Sequence, residues 1–431
     1  MGARYIHKKF RPNDYKENRH KTYKMRNVLI INSYAVNGVA LLLFCLFPLK
    51  GNCQGGEDAV NMLVKMGFTN VGWSENEKER IYVMENDAYR LQGVGIGKAL
   101  DIIQKIGLPV RKSCRIIFLD NNIPQISLNY QPMSIDTTSI VTHADWDISY
   151  KLGDVKQLRQ IKKRNSSLFK VDIMVYPELS FKNYIITQIY QVLTNFSPAV
   201  EVSLWKGMKF IGQIILPLYN DGYGRLCSKV RPQFFEITQN VRLPYNIWGK
   251  FAIGLFNNNR YGIDMTVWHH FSDEHFTIEG RIGYTGQNYW DGFTCYYGTL
   301  KRLMWSIGAS YYLPCYNLET TVRGAQFLLG ERGVRVDVVR HFRYASIGFY
   351  AEKANGANSN GGFLFQIALP PYKYKRKGYI PRVDLSNQFG ISYNAGNEKY
   401  YYKEYKVMPS DNVMQRNSFN PYFIKSEILN Y

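Results

Sequence analysis

The period of the apolar positions changes about 170 residues into the chain. Before that point, apolar side chains recur at helical spacing over 58–67 and 98–107. Alternating or apolar runs that predict strands lie at 80–85, 114–120 and 125–130. Residues 54–132 are therefore predicted to form a small α+β module. Residues 133–169 show little apolar periodicity and include a basic run, so they are predicted to be a linker.

Beyond the linker, apolar and polar residues alternate along the chain. In the segment 302–313, Leu303, Ile307 and Tyr311 fall on one face, while Ser306 lies on the other. The same alternation recurs in 245–256, 333–342 and 361–370. These runs have about nine to twelve residues, the length that a tilted strand needs to cross a bilayer. Strands of a soluble β-sandwich have about five or six.

The predicted fold class is therefore mainly β. Residues 170–431 are expected to form a transmembrane antiparallel β-barrel of about 12–14 strands, followed by an aromatic and basic C-terminal tail. With 34 Tyr and 24 Phe, aromatic residues make up 15% of the chain, although its mean hydropathy is only −0.30. Aromatic residues near strand ends are typical of membrane barrels, which place them at the two interfaces.

The first 53 residues read as a leader. Its apolar run, Val39 to Phe47, is too short to span a bilayer as a helix, which takes about 20 residues. Arg26 supplies a basic residue ahead of that run, and cleavage before Gln54 would follow Cys53, so a signal peptide with a true start at Met25 is expected. Lipidation at Cys53 and a buried helix are the alternatives. Export places the barrel in the cell outer membrane and the module in the periplasm.

Charge and cysteine content refine this picture. The net charge is +20 at pH 7, and part of the excess lies in the leader. The 6 cysteines contain no C-x-x-C pair, which argues against a thiol redox or zinc-ribbon motif. A disulfide among Cys227, Cys295 and Cys315 is possible in an exported chain, but the sequence does not assign it.

Three histidines, an aspartate and two glutamates crowd into residues 266–284. Their parity predicts a β-hairpin rather than a metal site, because His269 and His270 point to opposite faces and metal ligands must converge. Glu279 and Arg281 are expected to join an inter-strand charge ladder. The predicted residues that face the lumen and polysaccharide are His270, Glu279, Arg281, Arg335, Asp337 and His341. No metal, cofactor or catalytic residue is predicted.

Two further motifs have ordinary explanations. The glycines of 91–101 precede a lysine, but Ala99 stands where a phosphate loop needs Ser or Thr, so a strand-to-helix turn is expected. Basic and aromatic residues interleave in 371–379, as they do in polyanion-binding proteins. In an exported protein, nucleic acid is not an expected partner. The expected structure is a solvated loop at a barrel end, and contact with lipopolysaccharide phosphates or with an acidic polysaccharide is the functional alternative.

A barrel hydrolase acting on lipid or glycan is a further alternative. It would need a nucleophile, a histidine and a carboxylate on one face. His270 and Ser272 share parity, and Glu279 could approach from the neighbouring strand. No nucleophile motif accompanies these residues.

The chain also resembles the YjbH family of exopolysaccharide-associated outer-membrane proteins. "LVKMGFTNV", "RIYVMENDAYR" and "GIGKALDII" follow one another as in that family's central segment. "GAQFLLGERGVRVDVVRHFRYASIGFYAEKAN" followed by "GGFLFQIALP" resembles its closing strands. The resemblance implies a non-enzymatic role in making or exporting a surface polysaccharide. It also implies exopolysaccharide, outer-membrane lipid or lipopolysaccharide, and periplasmic or lipoprotein export components as partners. A structural or adhesive outer-membrane protein would show the same strands without that role.

Overall fold

The computed structural model describes most of the chain after the leader. The described residues are 54–106, 108–109, 111–132, 141–153, 155–185, 188–395 and 404–429. The predicted signal peptide, with Cys45 and Cys53, lies outside them. From Gly55 onward the chain forms one unit with two sheets.

The smaller sheet has five strands in sequential order, β1 to β5. Strands β2 and β3 are parallel, whereas the other neighbours are antiparallel. The elements of this part are α1 (Gln54–Met66), β1 (Thr69–Glu75), β2 (Glu79–Glu85), α2 (Gln92–Ile106), β3 (Ser113–Asp120), β4 (Ile123–Tyr130), β5 (Asp147–Ser149) and α3 (Val155–Gln160). The two helices expected from apolar spacing are present as α1 and α2. Strand β5 and helix α3 lie in the predicted linker, whose weak periodicity did not indicate them.

Helix α2 begins earlier than its sequence predicts. The expected strand-to-helix turn over the glycines is wrong, because the helix starts at Gln92 and includes them. A Cβ on Gly95 would lie 2.4 Å from Cγ of Asn86, and one on Gly93 would lie 2.2 Å from Oε2 of Glu427. The glycines therefore serve close packing of the first helical turns.

The larger sheet is built from long antiparallel hairpins in sequence order from β6 to β18. Strand β13 is a side branch that pairs only with β12 in the described sheet. The strands are β6 (Val171–Ile185), β7 (Gln188–Trp205), β8 (Met208–Asp221), β9 (Arg231–Leu243), β10 (Ile247–Phe256), β11 (Arg260–His270), β12 (Phe276–Asp291), β13 (Thr294–Tyr297), β14 (Arg302–Leu313), β15 (Leu318–Gln326), β16 (Arg332–His341), β17 (Ala345–Ala354), β18 (Asn360–Ala368), β19 (Arg382–Leu385) and β20 (Gln388–Asn394).

The last two strands connect the two edges of this sheet. Strand β19 pairs in parallel with β6, the first strand, while β20 pairs antiparallel with β18. Only Ser386 and Asn387 separate β19 from β20, and Ser386 N donates to Val175 O at 2.8 Å. One continuous segment therefore hydrogen-bonds to both outer strands.

The two faces of the large sheet have opposite polarity. On the outer face, Ile307 and Phe349 are 64% and 65% exposed. On the inner face, Asp264 and Asp337 are 3% and 5% exposed. Apolar side chains thus face outward and charged ones inward, the reverse of a soluble β-protein.

The ends of the large sheet also differ. Gly207 N donates to Asn121 O at 2.8 Å, and Arg242 Nη1 donates to Gln125 O at 2.9 Å, so the smaller sheet sits at this end. We call it the module end. It has short turns at 206–207, 244–246, 314–317 and 342–344 and the long connection 369–381. The opposite, distal end has the longest hairpin connections, 222–230 and 292–301, and the short turn 257–259.

No helix in the described part of the chain is both long and apolar enough to cross a membrane.

Candidate functional site

The inner face of the large sheet is occupied by the chain's own C-terminal segment, which we define as Glu404–Leu429. It contains two helices, α4 (Val413–Arg416) and α5 (Pro421–Leu429). At the distal end, Asn258 Nδ2 donates to Glu404 O at 2.6 Å. At the module end, Gly93 N donates to Glu427 Oε2 at 3.0 Å. The segment therefore runs along the interior from one end to the other.

The first anchor of this segment is a buried triad. Arg281 Nε lies 2.9 Å from Asp264 Oδ2, and Tyr405 Oη donates to the same oxygen at 2.6 Å. Arg281 Nη2 also donates to Tyr405 O at 3.1 Å. A Cβ on Gly283 would lie 1.8 Å from Tyr405 Oη, so this position has room only for glycine. The triad fixes the tyrosine against β11 and β12.

A second anchor is a charge network on β15 to β17. Asp337 accepts from Arg335 at 2.8 Å and from Arg323 at 3.0 Å. Arg335 also lies 3.6 Å from Glu352, and Arg323 lies 3.9 Å from Glu404 in the C-terminal segment. Buried charges are tolerated when they are paired in this way.

A third anchor combines an ion pair with a turn. Lys250 Nζ donates to Asp411 Oδ1 at 3.1 Å. The other carboxylate oxygen of Asp411 accepts from Val407 N at 3.0 Å and from Met408 N at 2.9 Å. Val407 is buried with Phe256, and Met408 packs on a separate apolar cluster of β7 to β9. Polar and apolar contacts together hold this turn against the neighbouring strands β7 to β10.

Helix α5 joins the large sheet to the module. Ile424 and Ile428 are fully buried in the core that includes α2. Tyr422 Oη donates to Asp273 O at 3.0 Å in the β11–β12 turn. Burial raises the pKa of Glu427 to about 8, against the hydrogen bond from Gly93 N, which lowers it. The carboxyl group of Glu427, which lies beside the first turn of α2, is therefore largely protonated at neutral pH.

The predicted hairpin over the histidine-rich stretch is present, with His270 opposite Thr277 across β11 and β12. Nδ1 of His270 lies 2.7 Å from Thr277 Oγ1, and its ring stacks on Tyr150 with centroids 4.2 Å apart. The described residues include no group of three or more His, Cys, Asp or Glu that could hold a metal ion. Within the same residues, no hydrogen bond joins Ser272 to His270.

The six residues predicted to face the lumen all lie on the inner face, where their register matches the buried polar positions. His341 Nε2 lies 3.3 Å from Glu319, and its Nδ1 lies 2.8 Å from Ser346 Oγ. Glu279 is the largest contributor to the raised pKa of Arg416 in α4. Contact of these residues with polysaccharide stays a prediction.

Arg281 makes an inter-strand ion pair of the kind expected for the charge ladder. Its partner is Asp264 on the neighbouring strand β11. Parity places Asp264 on the inner face, so this partner could have been proposed from sequence. The contacts of Tyr405 and Asp411 could not have been proposed from sequence, because their partners on the strands lie 141 and 161 positions away.

The expected solvated loop over 371–379 is wrong for Lys373, which lines a cavity, and for Arg376. The Arg376 side chain is only 9% exposed and lies 2.5 Å from Asp172 and 3.4 Å from Asp87. Tyr372 and Tyr374, by contrast, are exposed. The four cysteines in the described residues, Cys114, Cys227, Cys295 and Cys315, are free thiols.

Comparisons with known proteins give structural neighbours only. No protein-family model matches the sequence, and no curated protein matches it. A loop L8 deletion mutant of OmpT, an outer membrane protein of Vibrio cholerae, is 11% identical; the match covers 46% of this chain and 87% of that one, with a TM-score of 0.26. A mutant of the Rh. blastica porin is 10% identical over 52% of this chain and 98% of that chain, with a TM-score of 0.25.

Proposed function

We propose that this protein is an outer-membrane β-barrel that assists the secretion or assembly of an exopolysaccharide or capsule. The observation that carries the membrane assignment is the reversed polarity of the large sheet, with exposed Ile307 and Phe349 outside and buried Asp264 and Asp337 inside. A bilayer solvates the first pair, and a polar interior accommodates the second.

The strand connections support closure into a barrel. A sheet in lipid cannot leave an unpaired edge, since each unsatisfied backbone group there costs several kcal/mol. The pairing of β19 with 172–175 of β6 and of β20 with β18 favours such closure.

The loop lengths support an orientation. Outer-membrane barrels have short periplasmic turns and longer extracellular loops. Most of the short hairpin turns are at the module end, and the longest hairpin connections, 222–230 and 292–301, are distal, so the module lies in the periplasm in this proposal. It is then positioned to receive export components, while the distal loops, including 292–301, face the cell exterior.

The polysaccharide role rests on the resemblance to the YjbH family and on the chemistry of the interior. Charged and hydroxyl-bearing side chains on the inner face are suited to a hydrated glycan chain. The C-terminal segment occupies that interior, held by Tyr405, Asp411 and Glu404. A glycan would pass only after part of this segment has moved.

The first test combines cell fractionation with glycan analysis in a deletion strain. We expect the tagged protein in the outer membrane, with electrophoretic mobility that changes on heating, and we expect surface polysaccharide to be lost or retained inside the cell. Re-expression of the full chain should restore it. Outer-membrane location with unchanged polysaccharide would reject the export role and favour a structural or adhesive protein. A soluble monomer without detergent would reject the barrel itself.

A further inference from the structure

A polar cavity lies where the smaller sheet meets the module end of the large sheet. Its volume is about 170 Å³, several times the roughly 30 Å³ that one water occupies in the liquid. Its walls come from β1 to β3, from strands β6 to β8, from the segment around β19, and from 409–415 of the C-terminal segment. A ligand bound here would contact the segment that occupies the barrel interior.

Neutral hydrogen-bonding side chains dominate the cavity wall. Amides and hydroxyls are the most numerous lining groups, including those of Thr69, Asn86, Asn121, Asn387, Ser410 and Asn412. Such groups both donate and accept hydrogen bonds, as sugar hydroxyls do. The apolar side chains among the lining residues are few, so an apolar ligand does not fit this site.

Two of these side chains lack partners in the described structure. Asn121 is 5% exposed, and neither Oδ1 nor Nδ2 has a hydrogen-bond partner. Thr69 is 1% exposed, and its Oγ1 also has none. Buried polar atoms are rarely left unpaired in native proteins. Their position on the cavity wall indicates a ligand that supplies the missing bonds.

Most charges around the cavity neutralise one another. Asp172 lies 2.8 Å from Arg382 and 2.5 Å from Arg376. Glu201 lies 3.0 Å from Lys209 and accepts from Tyr176 Oη at 2.5 Å. These pairs give the wall a fixed geometry and leave little net charge on it.

Two charged side chains interact with other charges only at longer range. The carboxyl group of Asp120 and the ammonium group of Lys373 both line the cavity, and neither makes a close ion pair with another described side chain. Asp120 is attracted to Lys209 and Lys373, and Lys373 to Asp87 and Asp172. Lys373 is held in place through its backbone, since its N donates to Ala88 O at 3.1 Å. An ammonium group fits a ligand carboxylate, while Asp120 fits a ligand hydroxyl.

We infer that this cavity binds one saccharide unit that bears a carboxylate, with Asn121 and Thr69 bonding its hydroxyls and Lys373 pairing with its carboxylate. The choice of a saccharide rests on the proposed function, whereas the site itself rests on the cavity. Because 409–415 forms part of the wall, the bound sugar is also in contact with the C-terminal segment.

The test measures sugar binding to the full chain in detergent by saturation-transfer NMR. The probes are D-glucuronate, D-glucose and acetate. We expect glucuronate to bind more tightly than glucose, and acetate not to compete. Lys373→Met should lower glucuronate binding to the level of glucose and leave glucose unchanged. Equal binding of the two sugars to the unmodified protein would overturn the role of Lys373.

The key variant is Asn121→Gly, which removes both unpaired atoms. Asn121 has φ 46°, a left-handed conformation that glycine adopts readily. Asn259→Gly is the matched control, because Asn259 has φ 57° and lies in the β10–β11 turn at the distal end. We expect Asn121→Gly to weaken both sugars about tenfold, equivalent to about 1.4 kcal/mol, with no effect of Asn259→Gly. The same change in electrophoretic mobility on heating as in the unmodified protein would show that each variant is folded.

Three results would overturn the inference: no saturation transfer from either sugar, full competition by acetate, or unchanged sugar binding in Asn121→Gly. Each is separable from failure of the proposed function. If the tagged protein lies in the outer membrane and the deletion strain loses surface glycan, but the pure protein binds no sugar, the cavity proposal is rejected and the proposed function is kept. Sugar binding with normal surface glycan would keep the cavity and reject the export role.

Discussion

Charged side chains on the inner face are stabilised by their ion-pair and hydrogen-bond partners. Asp264 is the clearest case, since its carboxylate is almost completely buried yet accepts from Arg281 and Tyr405. Taking a charge out of water costs several kcal/mol, and the partners offset that cost only while both are present. Substituting one member should therefore weaken the fold more than loss of a surface charge does.

Asp264→Ala leaves Arg281 without its carboxylate and Tyr405 Oη without its acceptor. We expect the free energy of unfolding in lipid vesicles to fall by about 3 kcal/mol, the lower end of the range for a broken buried pair. Urea titration followed by tryptophan fluorescence measures it. Glu77→Ala, in an exposed turn, is the control. Equal midpoints for the two variants would show that the triad does not stabilise the fold.

Glu427 gives a pH dependence to the docking of α5. Its pKa rises from 4.5 unfolded to about 8 in the fold. Folding therefore favours the protonated form, and the stabilisation present below pH 4.5 is lost as pH rises towards 8. We expect amides of α5 to exchange faster at pH 9 than at pH 6, after correction for intrinsic rates, while amides of α1 do not change. In Glu427→Gln the difference should disappear; its persistence would contradict this assignment.

At the scale of elements, the C-terminal segment departs most from a simple barrel. The last described residues form helix α5 rather than a strand, and the segment that pairs with both outer strands is the earlier one, 382–394. The chain then returns through the interior. This arrangement makes the segment an obstacle to any passage along the inner face.

Removal of residues 404–431 should open the interior. We expect the conductance of the shortened protein in planar lipid bilayers to exceed that of the full chain several-fold. Replacement of Thr294–Tyr297, the side-branch strand β13, by a short Gly-Ser linker is the control and should leave conductance low. Both variants must keep heat-modifiable mobility. Equal conductance of the shortened and full chains would show that the segment does not block the interior.

At the scale of the whole molecule, the proposed function requires that the outer face of the large sheet meet a bilayer. Ile307 and Ile380 offer a matched pair, because both are 64% exposed but only Ile307 lies within a strand. Ile307→Arg should lower the stability in bilayers by about 2–4 kcal/mol, the cost of arginine near the midplane of a barrel. Ile380→Arg should have little effect. The urea midpoints of the two variants in lipid vesicles are compared with that of the unmodified protein. Small shifts of similar size in both variants would argue against burial of this face in lipid.

The sequence by itself determined the local structure. Period-two alternation identified the long strands and, with them, the inner face of His270, Glu279, Arg281, Arg335 and Asp337, because successive side chains of a strand point to opposite faces. Hairpins such as β11–β12 could also be predicted, because the two strands that pair are consecutive in the chain. Helical spacing likewise found α1 and most of α2.

Only the tertiary structure decided what fills the interior and where the candidate ligand site lies. The Tyr405–Asp264 bond, the contact of Glu427 with Gly93 and the two-sided pairing of 382–394 join positions far apart in the sequence. The polar cavity likewise combines Asn121 with Lys373 and Asn412. Periodicity records which face a residue occupies, but not which distant segment covers that face, because that depends on the packing of the complete chain.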